Sequence, residues 1–143
     1  MSANKSKTIR ANSRDSRAKL RISLREIAHA RSGDKGNSAN VAVFARTPAA
    51  YAWLREHLTA AAVETYFKPL GVGAVTRYEV PNLEALNFLL PDILAGGGSR
   101  SLRIDAQGKT LGMALLEMPV DASEVGRVVP NAPPAAGSTK PAR

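Results

Sequence analysis

The residue types that could do chemistry crowd into one stretch, Ala28–Asn40, which reads A-H-A-R-S-G-D-K-G-N-S-A-N. Gly33 and Gly36 allow backbone conformations that other residues resist. Around them stand Arg31, Ser32, Asp34, Lys35, Asn37 and Ser38, which together offer cations, a carboxylate, hydroxyls and an amide. Consecutive N–H groups in a glycine-bearing turn can form an anion nest, to which Arg31 and Lys35 would add charge. Asp34 opposes an anion unless one of those cations pairs with it. A phosphate loop of the Walker type is excluded, because Lys35 precedes Gly36 and a strand, not a helix, is expected to follow. The dinucleotide pattern G-x-G-x-x-G is also absent here. The stretch is read as a ligand loop between two strands, with more polar chemistry than a hairpin of two to five residues needs. The competing reading is an elaborate turn in which Asp34 and Asn37 bond their own backbone.

A second candidate is Gly96-Gly97-Gly98-Ser99-Arg100-Ser101. Gly97 and Gly98 permit close approach by a ligand, Ser99 is a polar neighbour, and Arg100 can grip a carboxylate or phosphate with two parallel hydrogen bonds. Its competing reading is a flexible helix-to-strand connection. Both segments are expected at strand ends, where they could meet at one edge of a sheet. Asn82 is expected to cap a helix, while Asn87 is free to bond the loop or a partner. The two histidines, His29 and His57, are too far apart in sequence to form a metal motif. Neither supports a catalytic triad, so no catalytic residue, metal or cofactor is assigned.

The elements that must position these residues follow from periodicity. Ile22, Leu24, Ile27, Ala28 and Ala30 suggest a strand with an irregularity near Glu26, and Asn40–Arg46 a second strand. Thr47-Pro48 marks a helix start, and Tyr51, Leu54 and Leu58 supply its stripe. Thr59 caps a second helical run that Pro69 and Gly71 end. Gly73–Val80 predicts a third strand. A helix is expected from Asn82, with Leu83, Leu86, Leu90, Ile93 and Leu94 on one side and Pro91 interrupting it. Arg100–Asp105 and Leu111–Val120 complete the set as fourth and fifth strands around a turn at Ala106–Lys109. The order β-β-α-(α)-β-α-β-β predicts an α+β sandwich, a ferredoxin-like variant of about five mainly antiparallel strands with two to three helices on one face. That name describes topology, not iron–sulfur chemistry.

Composition narrows the function classes. At 143 residues the chain fits one domain, expected over 22–120. The absence of cysteine excludes disulfides, thiolate nucleophiles and cysteine-ligated clusters. No apolar run is long enough to span a membrane and no secretory h-region follows the N-terminus, so a cytoplasmic location is expected. The net charge of +8 is unevenly placed. Residues 1–21 carry seven Lys/Arg against Asp15, whereas residues 22–120 carry ten basic and nine acidic side chains. The leader is therefore expected to be a solvated, disordered basic tail, and nucleic-acid binding is not the expected role. Residues 121–143 form a Pro-rich tail with no core pattern, also expected to be disordered.

Three long stretches carry a family likeness. A-R-S-G-D-K-G-N-S-A-N (Ala30–Asn40), Y-E-V-P-N-L-E-A-L-N-F (Tyr78–Phe88) and G-G-G-S-R-S-L-R-I-D-A-Q-G-K-T-L-G-M-A-L-L-E-M (Gly96–Met118) resemble the C-terminal domain of the acyclic terpene utilisation, AtuA-like, proteins. The resemblance implies a ferredoxin-like fold and a link to catabolism of citronellol- or geraniol-type terpenoids. In that family the domain usually follows a much larger one, which is missing here. The chain therefore resembles a separately encoded small subunit, and the resemblance implies an AtuA-like large partner supplied in trans; a homo-oligomer, with or without that partner, is also expected. On this reading it is an accessory subunit, not catalytic alone. Arg31–Ser38 contribute to a site for an anionic small molecule, closed by Gly97–Arg100. The alternative is a non-enzymatic module for oligomer assembly. Pro91 departs from the expected helix and puts its continuity in question.

Overall fold

The computed structural model describes residues 20–125. The basic leader and the Pro-rich tail lie outside those residues, apart from Leu20 and Arg21 at one end and 121–125 at the other. The strands are β1 (Arg21–Ser23), β2 (Ala28–Lys35), β3 (Ser38–Ala45), β4 (Thr76–Val80), β5 (Ala85–Leu90) and β6 (Pro119–Asp121). The helices are α1 (Pro48–His57), α2 (Ala60–Phe67), α3 (Leu111–Leu116) and α4 (Ala122–Val125). Four strands form one antiparallel sheet in the order β2-β3-β5-β4, and β1 pairs with β6 in a second.

Alternation in β3 and β5 builds the core. Ala39, Val41 and Val43 stand opposite Leu90, Phe88 and Leu86, and all six are completely buried. Successive side chains of a strand point to opposite sides, so these pairs make one apolar face. The helices cover that face. Thr47 accepts a hydrogen bond from the Ala50 N–H at 3.0 Å and Pro48 opens α1, while Thr59 caps α2 in the same way through the Ala62 N–H. Leu54 of α1 and Val63 and Phe67 of α2 then join the core.

Several expected elements change identity. The irregularity near Glu26 is a 3-10 turn, Leu24–Glu26, at which the chain leaves one sheet for the other. The strand expected from Gly73 begins at Thr76. The helix expected from Asn82 is strand β5, because Ala85–Leu90 finds paired neighbours on both sides, β3 and β4. That pairing overrides a leucine spacing that also satisfied a helical stripe. Asn82 accordingly caps no helix and lies in the 3-10 turn Pro81–Leu83. Pro91 follows the end of β5 and does not kink a helix. Arg100–Asp105 forms no strand and runs through bends and turns. The fifth expected strand is mostly helix α3, whose Met-Ala-Leu-Leu run favours a helix. Only Pro119–Asp121 remains extended. Gly112 lets α3 lie against β2: a Cβ there would sit 3.3–3.4 Å from the Arg31 backbone and the Ala30 side chain.

Candidate functional site

The polar stretch is a hairpin. Lys35 and Ser38 are the last pair of β2 and β3, leaving Gly36 and Asn37 as the turn, with Gly36 at φ 66°. Residues 31–35 are strand, so the alternation of β2 divides the expected site between two faces. Ser32 and Asp34 lie on the side of Val41 and Ala39, toward the helices, whereas Arg31, Gly33 and Lys35 lie on the open side with Asn40 and Ser38.

Ser32 is occupied by the fold. Its hydroxyl donates to the Gly108 carbonyl at 2.6 Å and accepts from the Gly112 N–H at 2.9 Å, joining β2 to the start of α3. Asp34 is exposed and, among the described residues, pairs with neither Arg31 nor Lys35. The turn residues are equally committed. The Asn37 side chain donates to Asp92 at 2.9 Å and accepts from the Gly96 N–H at 2.6 Å, while its carbonyl accepts from the Leu94 N–H. The two glycine segments therefore meet, but they fill one another. A Cβ on Gly97 would sit 2.4 Å from the Gly36 carbonyl oxygen, and Gly97 itself has φ 77°. Gly98, Ser99 and Arg100 continue as an exposed turn.

The open side of the sheet gathers the remaining candidates. Across the register, Arg31 stands in line with Ala42, Asn87 and Tyr78, and Gly33 in line with Asn40, Leu89 and Thr76. Asn40 donates to Asn87 at 3.4 Å, a long contact that leaves both amides room to turn toward another partner. The Lys109 ammonium lies 3.5 Å from the place a Gly33 Cβ would take. Three cations, Arg31, Lys35 and Lys109, thus surround a strand glycine, and none makes an ion pair among the described residues. The paired strands bring no carboxylate to this side. His29 stacks on Phe44 at 5.1 Å on the same face, one row further on. Asn82 lies beyond the opposite end of β5 and does not join the group.

Sequence reasoning missed Tyr78 and Lys109 and did not single out Asn40. Asn40 and Tyr78 carry a signal, since period two places them on the same face as Arg31 and Asn87 once the strand partners are known. Lys109 has no local signal, because it reaches Gly33 only through the tertiary contacts of the Asp105–Thr110 turn. Asp105 organises that turn by accepting from the Lys109 N–H at 2.8 Å and the Thr110 hydroxyl at 2.6 Å. Burial opposes ionisation of Asp105, but the Thr110 and Lys109 hydrogen bonds and the Lys109 charge outweigh it and hold the carboxyl below its ordinary value. No group of three or more His, Asp or Glu among the described residues could hold a metal, and none of their helices is long and apolar enough to cross a membrane.

A family model described as the AtuA ferredoxin-like domain matches residues 22–121. The chain belongs to that family. No curated protein and no solved structure matches it. The AtuA ferredoxin-like domain is thus built here as an α+β unit whose antiparallel sheet is covered on one face and open on the other.

Gly97→Ala should destabilise the domain by about 2–4 kcal/mol in urea unfolding, combining a left-handed alanine with a backbone clash. Gly98→Ala, which meets only the Gln107 side chain at an ordinary 3.7 Å, should be nearly neutral. Because the Asp105 carboxyl is held low, its stabilising contribution is complete above the ordinary value of 3.8 and is lost as pH falls through the lower native value. Urea melts of wild type and Asp105→Asn should therefore differ at neutral pH and converge in acid, and a pH-independent difference would contradict this.

Proposed function

We propose that this AtuA ferredoxin-like domain is an accessory component of an AtuA-type assembly acting on acyclic terpenoids or related carboxylic acids and their acyl-CoA esters, and that its open sheet face holds the ligand's anionic group. The observation that carries this reading is the trio Arg31, Lys35 and Lys109 around Gly33, with no ion-pair partner among the described residues and no carboxylate on the paired strands beside them. Arg31 can engage a carboxylate or phosphate through its planar fork, and the two lysines add charge without imposing direction. Asn40, Asn87 and the Tyr78 hydroxyl supply neutral partners for the rest of the head group. The aliphatic remainder of a terpenoid acid would lie along Ala42 and Leu89. Chemistry on that ligand falls to the larger AtuA-like partner.

A second reading, a module that only assembles its partners, is favoured by the same face, because Tyr78 is 52% exposed. Titration of the isotope-labelled domain with sodium 3-methylbutanoate and with coenzyme A, followed by amide NMR, separates the two. The first reading expects shifts at Arg31, Gly33, Lys35, Asn40 and Asn87 that weaken as salt is raised. Arg31→Ala combined with Lys35→Ala should raise Kd by about tenfold or more, since a single charge-assisted hydrogen bond is worth about 1.5–3 kcal/mol. Shifts that are absent, or indifferent to those changes, would leave the assembling role in possession of the face.

A further inference from the structure

Two surface features lie away from the sheet face and match each other. The first is a knob in the turn-rich segment after β5. Leu102 is 102% exposed and Ile104 109% exposed, so neither side chain rests on its own fold. They are nevertheless held in place, because Arg103 between them donates to the Ile93 carbonyl at 2.7 Å and to the Leu70 carbonyl at 3.3 Å. Two branched aliphatic side chains presented to water from an anchored segment are an unusual surface for a chain that remains alone. Exposed Arg100 gives the base of this knob a positive character, while Arg103 is taken up by the Ile93 and Leu70 carbonyls and the carboxylate of Asp105 by its own turn.

The second feature is a groove of about 500 Å³ between α1 and α4. Its floor is apolar, formed by Ala49, Ala52 and Trp53, and its rim carries Glu56 and Glu124. His57 stacks on Trp53 at 4.7 Å and stands 3.8 Å from each of the two glutamates, bracing the rim. Glu56 and Glu124 meet no lysine or arginine among the described residues.

We infer that the occupant of this groove is the Leu102–Ile104 knob of a second copy of the chain. The aliphatic pair fills the apolar floor, and Arg100 faces the Glu56 and Glu124 rim. Knob and groove share no residue, so a reciprocal pair of contacts closes a two-fold dimer, whereas one contact per pair of copies grows into rings or open chains. The open sheet face plays no part in it and stays free for its own ligand.

Sedimentation velocity over a micromolar-to-millimolar concentration series tests the inference on the full chain. Wild type should assemble with rising concentration and do so less at high salt. A knob variant, Leu102→Asp with Ile104→Asp, and a groove variant, Glu56→Lys with Glu124→Lys, should each be monomeric. Mixed together, these two variants should form a one-to-one complex, because one retains an intact groove and the other an intact knob. Matching circular dichroism and melting temperatures confirm that the variants are folded, with Leu102→Ser and Ile104→Ser as a milder pair. A wild type that stays monomeric throughout overturns the inference, as does assembly that survives loss of the knob or a mixture that fails to pair. If deleting residues 1–19 alone produced assembly, the groove would belong to the chain's own basic leader, which also overturns it as stated.

Discussion

The close approach of Gly36 to Gly97 is the constraint on which the rest of the open face depends. A backbone carbonyl can come this near to another backbone only where no Cβ intervenes, and both positions also sit at positive φ. Asn37 closes the contact with hydrogen bonds to Asp92 and Gly96. The twenty residues between β5 and α3 contain no strand or helix, so their path is decided by such anchors. The excursion is fastened again at its far end, where Ser32 bonds Gly108 and Gly112. Lys109 is delivered over Gly33 only because both ends are tied to the same hairpin. The residues with the most suggestive chemistry in the sequence are thus largely the ones that build the site's frame.

What was legible in the sequence was local. Thr47-Pro48 and Thr59 announced α1 and α2, since a cap is written within four residues, and the alternation of β3 gave half the core. The failures were cases where a neighbour decided. Ala85–Leu90 is apolar enough to read as helix or strand, and only β3 and β4 on its two sides settle it. Leu111–Leu116 carries helix-favouring residues, but Gly112 obscured them until β2 was seen lying against it. For the candidate site, residue types in Arg31–Ser38 were informative while their faces were not. A loop and a strand have the same letters, but a strand sends Arg31 and Ser32 to opposite sides.

The charge of the folded part also looks different in three dimensions. Its near balance of acids and bases conceals a division of labour. Arg77 donates to the Arg55 and Leu58 carbonyls at the end of α1, Arg103 to those of Ile93 and Leu70, and Arg46 to that of Arg25. These guanidinium groups satisfy carbonyls that helix ends and turns leave unpaired. Among the described residues, the side chains of Arg31, Lys35 and Lys109 have no such duty. A neutral total therefore coexists with a local positive field on one face, which no count of lysines and arginines would reveal.

The pairing of β1 with β6 carries a consequence for how the domain comes into being. Arg21 stands opposite Asp121, so the first strand meets its partner only about a hundred residues later in the chain. During synthesis Ile22 and Ser23 emerge early and have no ladder to join, while the hairpin β2–β3 can close at once from neighbouring residues. The small sheet is then the last piece to be set, and it seals Leu24 and Val120 into the core as it forms. A ribosome still holding residues 119–121 would carry a nearly complete larger sheet with its first strand unlatched, a state in which both ends of the domain remain open to other chains.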